Sequence, residues 1–189
     1  MKNKPFPLFV ISLLLLLAVN GFSQNNSTVF EDTSKLVVFN RPRLSTDNFL
    51  ETKKTVTVLE LEKRVFGLVN EQRRASGLSE LDWSDGIAKI ARVHSQNMAN
   101  YKFFSHQGLD GSTVSDRADS LKISRWQSIG ENIAYNRGYA NPIKLAVESW
   151  MESTGHRNNI LNRGWKETGI GVAIASNGSY YFTQVFLSK

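Results

Sequence analysis

Three histidines, His94, His106 and His156, sit in the middle of a chain of 189 residues. Histidine titrates near neutral pH and is the commonest neutral metal ligand, so these three are the natural starting point for chemistry. His94 lies inside ARVHSQNMANY. His-x3-Met is not a zinc pair, and the helical His-Glu-x-x-His pattern of metalloproteases is missing. His94 therefore reads as a core or interface histidine held by a hydrogen bond. His106 follows Phe103-Phe104-Ser105 and leads into Gln107-Gly108-Leu109-Asp110-Gly111. That context fits either an imidazole on a cleft wall or a solvated loop histidine. His156 stands between Ser153-Thr154-Gly155 and Arg157-Asn158-Asn159, a run whose donors either pin a turn or dress a helix–loop corner. Glu131, in Gly130-Glu131-Asn132-Ile133, either caps a turn or faces a pocket.

Other chemistries find less to work with. The chain has no cysteine, which excludes a catalytic thiol, a thiolate zinc site, a disulfide framework and a lipid-modified cysteine. No Gly-x-Ser-x-Gly elbow is present, and the adjacency of Ser105 and His106 does not establish contact between a nucleophile and a base. A glycosidase needs two facing carboxylates. Glu131 with Glu148 or Glu152 is such a pair on paper, with a separation that the sequence leaves open.

The elements that must position these side chains follow from periodicity. Leu61, Val65, Leu68 and Val69 make one apolar stripe of a helix from near Val58 to Ala75, with Gly77 placed to end it. Leu81-Asp82-Trp83 reads as a connector. Ser84 or Asp85 can cap a second helix to about Asn100, with Ala88, Ala91, His94 or Ser95, and Met98 on its inner side. Asn141-Pro142 opens a third helix through Met151, as cap and first-turn proline, with Ile143, Ala146, Val147 and Trp150 as its buried face. From residue 168 the period falls to two. Ile170, Val172 and Ile174 alternate with small residues, Asn177-Gly178 signals a tight turn, and Tyr180 to Phe186 return as a second strand. Helices followed by a hairpin predict an α+β domain with an antiparallel sheet.

Residues 1–23 read as a secretory signal peptide. Lys2 and Lys4 give a basic start, Leu8 to Val19 an apolar run too short to span a bilayer, and cleavage is expected near Ser23–Gln24. Residues 24–57 read as a flexible leader, with Leu36-Val37-Val38-Phe39 as a short docking strand. The formal net charge is +6, and two of those charges leave with the signal peptide. The remaining basic residues are dispersed, without a basic block or stacking motif, so nucleic acid is not an expected partner. No later apolar run is long enough to span a membrane.

Taken in order, the short boxes resemble those of the CAP superfamily: cysteine-rich secretory proteins, antigen 5 and pathogenesis-related 1 proteins, also known as the SCP domain. They are Val69-Asn70-x-x-Arg73, Leu81-x-Trp83, His94-Ser95-x-x-Met98-Ala99, Phe104-Ser105-His106 and Gly130-Glu131-Asn132-Ile133. Trp150-Met151-x-Ser153, Gly155-His156-Arg157-x-Asn159-Ile160-Leu161, Gly169-Ile170-Gly171-Val172 and Thr183-Gln184-Val185-Phe186 complete the series. The likeness is to the short, cysteine-free bacterial type and assigns the domain to residues 58–189.

The resemblance implies a three-layer α-β-α sandwich with a cleft lined by two His and two Glu, able in some members to hold zinc. Box by box, the pair would be His106 and His156, both metal ligands if zinc binds, and the first Glu would be Glu131. Three positions after Trp150, where the family often has its second Glu, stands Ser153. The expected function is a secreted binding module whose cleft accepts a lipid or cell-envelope ligand. The alternatives are a zinc-dependent hydrolase of an extracellular peptide or ester, with Glu131 as base, and a non-catalytic structural surface protein.

Overall fold

The computed structural model describes residues 56–189. The expected signal peptide, the strand at 36–39 and all of the leader before Val56 lie outside the described residues.

In chain order the elements are α1 (Val58–Ala75), β1 (Asp82–Trp83), α2 (Asp85–Tyr101), α3 (Val114–Ser120), β2 (Ser128–Arg137), α4 (Pro142–Glu152), α5 (Thr154–Ile160), β3 (Glu167–Ile174) and β4 (Ser179–Ser188). The three helices and the hairpin predicted from periodicity are all present. Of their N-caps, Asn141 is the expected one, whereas the cap of α1 was not read from the sequence. Thr57 and Glu60 form a capping box on α1, and the Asn141 side chain accepts the backbone N–H of Lys144 at 3.1 Å. Ser84 occupies the N-cap position of α2 without a side-chain hydrogen bond, and Asp85 instead accepts the indole N–H of Trp83 at 2.8 Å.

The sheet runs β1-β3-β4-β2. The hairpin β3–β4 is antiparallel, and β2 adds antiparallel to β4 from Ser128↔Ser188 to Arg137↔Ser179. The expected antiparallel sheet is present, and it gains one short parallel strand where the sequence read as a connector. Asp82 and Trp83, read as a connector, pair parallel to β3 at Glu167 and Thr168.

Side chains alternate across the sheet and so define three layers. Ile170, Val172, Tyr180, Phe182 and Phe186 pack with Leu61, Val65 and Val69 of α1 and with Ala146, Val147 and Trp150 of α4. Val185 and Leu187 face the other way, onto Ile87, Ile90 and Ala91 of α2 and Ala118 of α3. Helix α2 lies unusually close to β3. A Cβ at Gly169 would stand 2.1 Å from the backbone nitrogen of Ala88, and one at Gly171 would stand 2.3 Å from the carbonyl carbon of Ala91. Only glycine leaves that room. The buried Ser95 hydroxyl uses the proximity to bond the Gly171 carbonyl at 3.0 Å and Thr183 at 2.8 Å.

Two boxes from the sequence have purely architectural uses. Asn70 exchanges hydrogen bonds with both backbone groups of Leu81, and buried Arg73 donates to the carbonyls of Ser79, Ile160 and Asn162. The Arg73 contacts satisfy carbonyls at and just beyond the end of α5, which would otherwise lack partners.

Candidate functional site

The site forms around β2, an outermost strand of the sheet. Alternation sends Glu131 to the α2/α3 side of this strand and Asn132 to the α4/α5 side. Glu131 is neither a turn cap nor solvent-facing: its side chain is 4% exposed. One carboxylate oxygen accepts the Nδ1–H of His106 at 2.8 Å, and the other accepts Nη2–H of Arg117 at 2.6 Å. Because a carboxylate only accepts, Nδ1 of His106 carries the proton, and Nε2 keeps its lone pair when the ring is neutral.

Arg117 is the principal residue that the sequence reading missed. It sits on α3, is itself buried, and donates to the carbonyls of His106 at 3.2 Å and Ser112 at 2.9 Å. The signal for its helix was present in Thr113-x-x-Asp116, which forms a second capping box. Nothing local marks the arginine as buried.

The segment between α2 and α3 that carries His106 is held a third time by His94. Nε2–H of His94 donates to the carbonyl of Ser105 at 2.8 Å, in line with the expected hydrogen-bonded core histidine. Its Nδ1 is buried without a partner among the described residues, and burial is the main cause that pushes the imidazole below its ordinary pKa.

His156 approaches from the opposite layer. It lies in the first turn of α5, and the donors that follow it do pin the corner between α4 and α5: Arg157 donates to the Met151 carbonyl at 3.0 Å. Its carbonyl accepts Nδ2–H of Asn132 at 3.1 Å. Asn159, one turn on, donates to the Glu131 carbonyl at 3.2 Å and to Oδ1 of Asn132 at 2.9 Å. The rings of His106 and His156 face each other with centroids 6.3 Å apart and an interplanar angle of 46°. Burial, and secondarily the charge of His106, pushes His156 below the usual histidine value. Strand β2 is also blunted as an edge: the Trp150 indole donates to the Ile133 carbonyl at 2.9 Å, as Asn159 does to Glu131.

Beside the pair opens a cleft of about 550 Å³. His156 and Ser153 line it together with Lys102, Phe104, Ile133, Tyr135, Trp150 and Tyr181. Tyr135 stacks edge-on against Tyr181 at 5.0 Å and lies 6.2 Å from Phe104. Phe104 and Tyr135 are about half exposed, at 52% and 46%, so they form the open lip of the cleft. His106 and Glu131 are not part of the lining. Glu152 and Glu148 are exposed on α4, Glu148 pairing with Lys144 at 3.4 Å, whereas both oxygens of Glu131 are engaged inside. No facing pair of free carboxylates is thereby assembled from these three.

For a divalent cation the described residues offer two imidazoles, with Glu131 orienting one ring in the manner of an outer-shell carboxylate. A catalytic zinc takes three protein ligands. Among the described residues no group of three or more His, Cys, Asp or Glu is placed to hold a metal. The donor set falls short of a resident zinc centre.

Comparison with known proteins agrees with this architecture. The family model for the cysteine-rich secretory protein family (CAP) matches residues 66–186. The Bacillus subtilis protein YkwD is 38% identical over 133 residues, which cover 70% of this chain and 49% of that protein. The membrane protein YlbC of the same bacterium is 35% identical over 128 residues, 68% of this chain and 34% of its own length. The chain thus matches half or less of each of these relatives. Among solved structures, an extracellular SCP-domain protein from Bacillus anthracis superposes with a TM-score of 0.61 at 30% identity, covering 77% of this chain and 45% of that one. An outer surface protein of Borrelia burgdorferi shares the fold with a TM-score of 0.60 at 19% identity, covering 67% and 91%.

Proposed function

Since the chain belongs to the cysteine-rich secretory protein (CAP) family, we propose that it is a secreted module binding a lipid or cell-envelope ligand in its aromatic-lipped cleft. The observation that carries this reading is the cleft itself. Its volume of about 550 Å³ lies within the roughly 300–1,000 Å³ of small-ligand sites, and its walls are mainly apolar and aromatic with a few polar groups. Two half-exposed aromatic rings at the mouth are what an apolar ligand would cover. The short donor set at the His pair favours binding over metal-assisted hydrolysis, which needs a third protein ligand to hold the ion. Secretion rests on residues 1–23 and is supported by the extracellular relative from Bacillus anthracis. No helix among the described residues is long and apolar enough to cross a membrane.

Native mass spectrometry of protein recovered outside the producing cell tests both parts at once. A mass lacking residues 1–23, with a co-purifying small amphiphile that Tyr135→Ala loses, is the expected result. Protein that carries no small molecule but turns over a peptide or ester, with activity lost in His106→Ala, would overturn the binding reading.

A further inference from the structure

The turn that joins β3 to β4 holds two neighbouring residues able to react with each other. Asn-Gly occurs at Asn20-Gly21, inside the expected signal peptide, and at Asn177-Gly178. The second pair is exposed at the tip of the hairpin. There the backbone N–H of Ser179 donates to Oδ1 of Asn177 at 3.0 Å. That bond folds the side-chain amide back into a ring that contains the Gly178 nitrogen, and it polarises the amide carbonyl. Gly178 has no Cβ to shield its nitrogen, and the space beside it is open. The nitrogen is restrained by its bond to the Ala175 carbonyl at 2.8 Å. A turn bond at an exposed tip opens locally while the domain stays folded.

Two other turns hold these ingredients apart. Asn162 accepts the N–H of Gly164 at 2.8 Å in the same manner, but Arg163 follows it. Asp110 accepts the N–H of Ser112 at 3.0 Å and is followed by Gly111. The hydroxyl and N–H of Ser112 hold that carboxyl below the usual carboxylate range, so it stays ionised and is a poor electrophile.

We propose that Asn177 is a self-modification site, converted by its own backbone to aspartate and isoaspartate in the folded protein, and that the isoaspartate form alters the lip of the cleft. The Gly178 nitrogen gives its proton to solvent and bonds to Cγ of Asn177. The Cγ–Nδ2 bond breaks, ammonia leaves with a proton from solvent, and a five-membered imide closes. Water then opens the ring at either carbonyl, so one water is consumed and one ammonia released. Isoaspartate adds a methylene to the main chain inside the turn that fixes the register of β3 and β4. The next residue, Ser179, is buried, and its hydroxyl bonds that of Tyr135 at 3.0 Å. Tyr135 lines the cleft, so the lengthened turn pulls on a cleft aromatic. Nothing in this step depends on what the cleft binds.

The test incubates the folded mature chain at mildly alkaline pH and maps its peptides by mass spectrometry, with an isoaspartyl methyltransferase scoring isoaspartate. Asn177 should convert first, ahead of Asn162 and Asp110, and Asn177→Gln should lose the early product. Arg163→Gly, which places glycine after the already folded-back Asn162, should bring that residue into the early set. Tyr135 ring resonances should shift in the purified isoaspartate form. They should stay in place in Asn177→Asp, which carries the new charge without the extra methylene. Conversion of Asn177 only after unfolding in urea, or no faster than that of Asn162, overturns the site. Unshifted Tyr135 resonances in the isoaspartate form overturn its effect on the cleft.

Discussion

His106 and His156 meet ring to ring, 6.3 Å between centroids, although they belong to different layers of the sandwich. One comes from the segment between α2 and α3, the other from α5, and the outermost strand β2 runs between their supports. Their relation depends on two separate anchoring systems. Glu131 and Arg117 hold the first ring, while Asn132 and Asn159 hold the backbone of the second. Four consequences can be measured.

Glu131→Gln should destabilise the domain by about 3–5 kcal/mol, because it strips a buried cation of its counter-charge. Arg117 and Glu131 are both nearly inaccessible, so water cannot take over the lost role. Replacing both with Met should cost clearly less than the sum of the single variants. Urea unfolding of Glu131→Met, Arg117→Met and the double variant, beside Glu131→Gln, measures this. Additive losses would contradict a coupled pair.

Stability should fall with acid through His94. Its folded pKa is depressed, so the unfolded chain takes up the proton first as pH drops. The contribution is therefore complete above about 6.5, the ordinary histidine value, and is lost as pH falls from there toward the folded pKa. The slope from this single proton cannot exceed about 1.4 kcal/mol per pH unit. His94→Gln can keep a donor toward the Ser105 carbonyl and should flatten the profile between pH 7 and 5. A mutant profile parallel to the wild type would assign the acid sensitivity elsewhere, with His156, shifted in the same direction, as the next group to test.

Gly171→Ala and Gly67→Ala should have opposite signs. The first forces a methyl to within 2.3 Å of the α2 backbone, where nothing flexible can give way. A loss of about 3 kcal/mol or more is expected. The second adds a methyl in open space inside α1 and should gain about 0.5–1 kcal/mol. Thermal melts read both. Tolerance of Gly171→Ala would mean that α2 does not sit directly on β3 in solution.

Zinc should bind weakly. Two protein nitrogens give a shallow site, well short of the roughly 10–16 kcal/mol of closed structural zinc sites. His106→Ala or His156→Ala should each abolish it, and a chelator should leave the melting temperature of the wild type unchanged. A large chelator-induced drop in Tm would reveal a ligand beyond the described residues.

Much of the scaffold was legible before folding. The stripe Leu61-Val65-Leu68-Val69, the Asn141-Pro142 start and the Asn177-Gly178 turn are local signals: each depends on residues within a few positions, where backbone geometry sets the period. Strand β2 was not legible. Its SIGENIAYNR reads as polar, because Glu131, Asn132 and Asn136 are buried there with partners from α3, α5 and α4. Helices α3 and α5, seven residues each, are too short to display a period, and so short a helix depends on caps and packing.

The sequence by itself determined the α+β class, the family, the main helices and the identity of His106, Glu131 and His156 as the polar residues to watch. Tertiary structure decided what they do to one another. It buried Arg117 behind Glu131, assigned the proton on His106, turned the second histidine toward the first from the opposite layer, and left Ser153 and Lys102 on the wall of the cleft. These are pairings between residues far apart in the chain. Their energies come from burial and from charges placed ångströms apart, quantities that no local pattern carries.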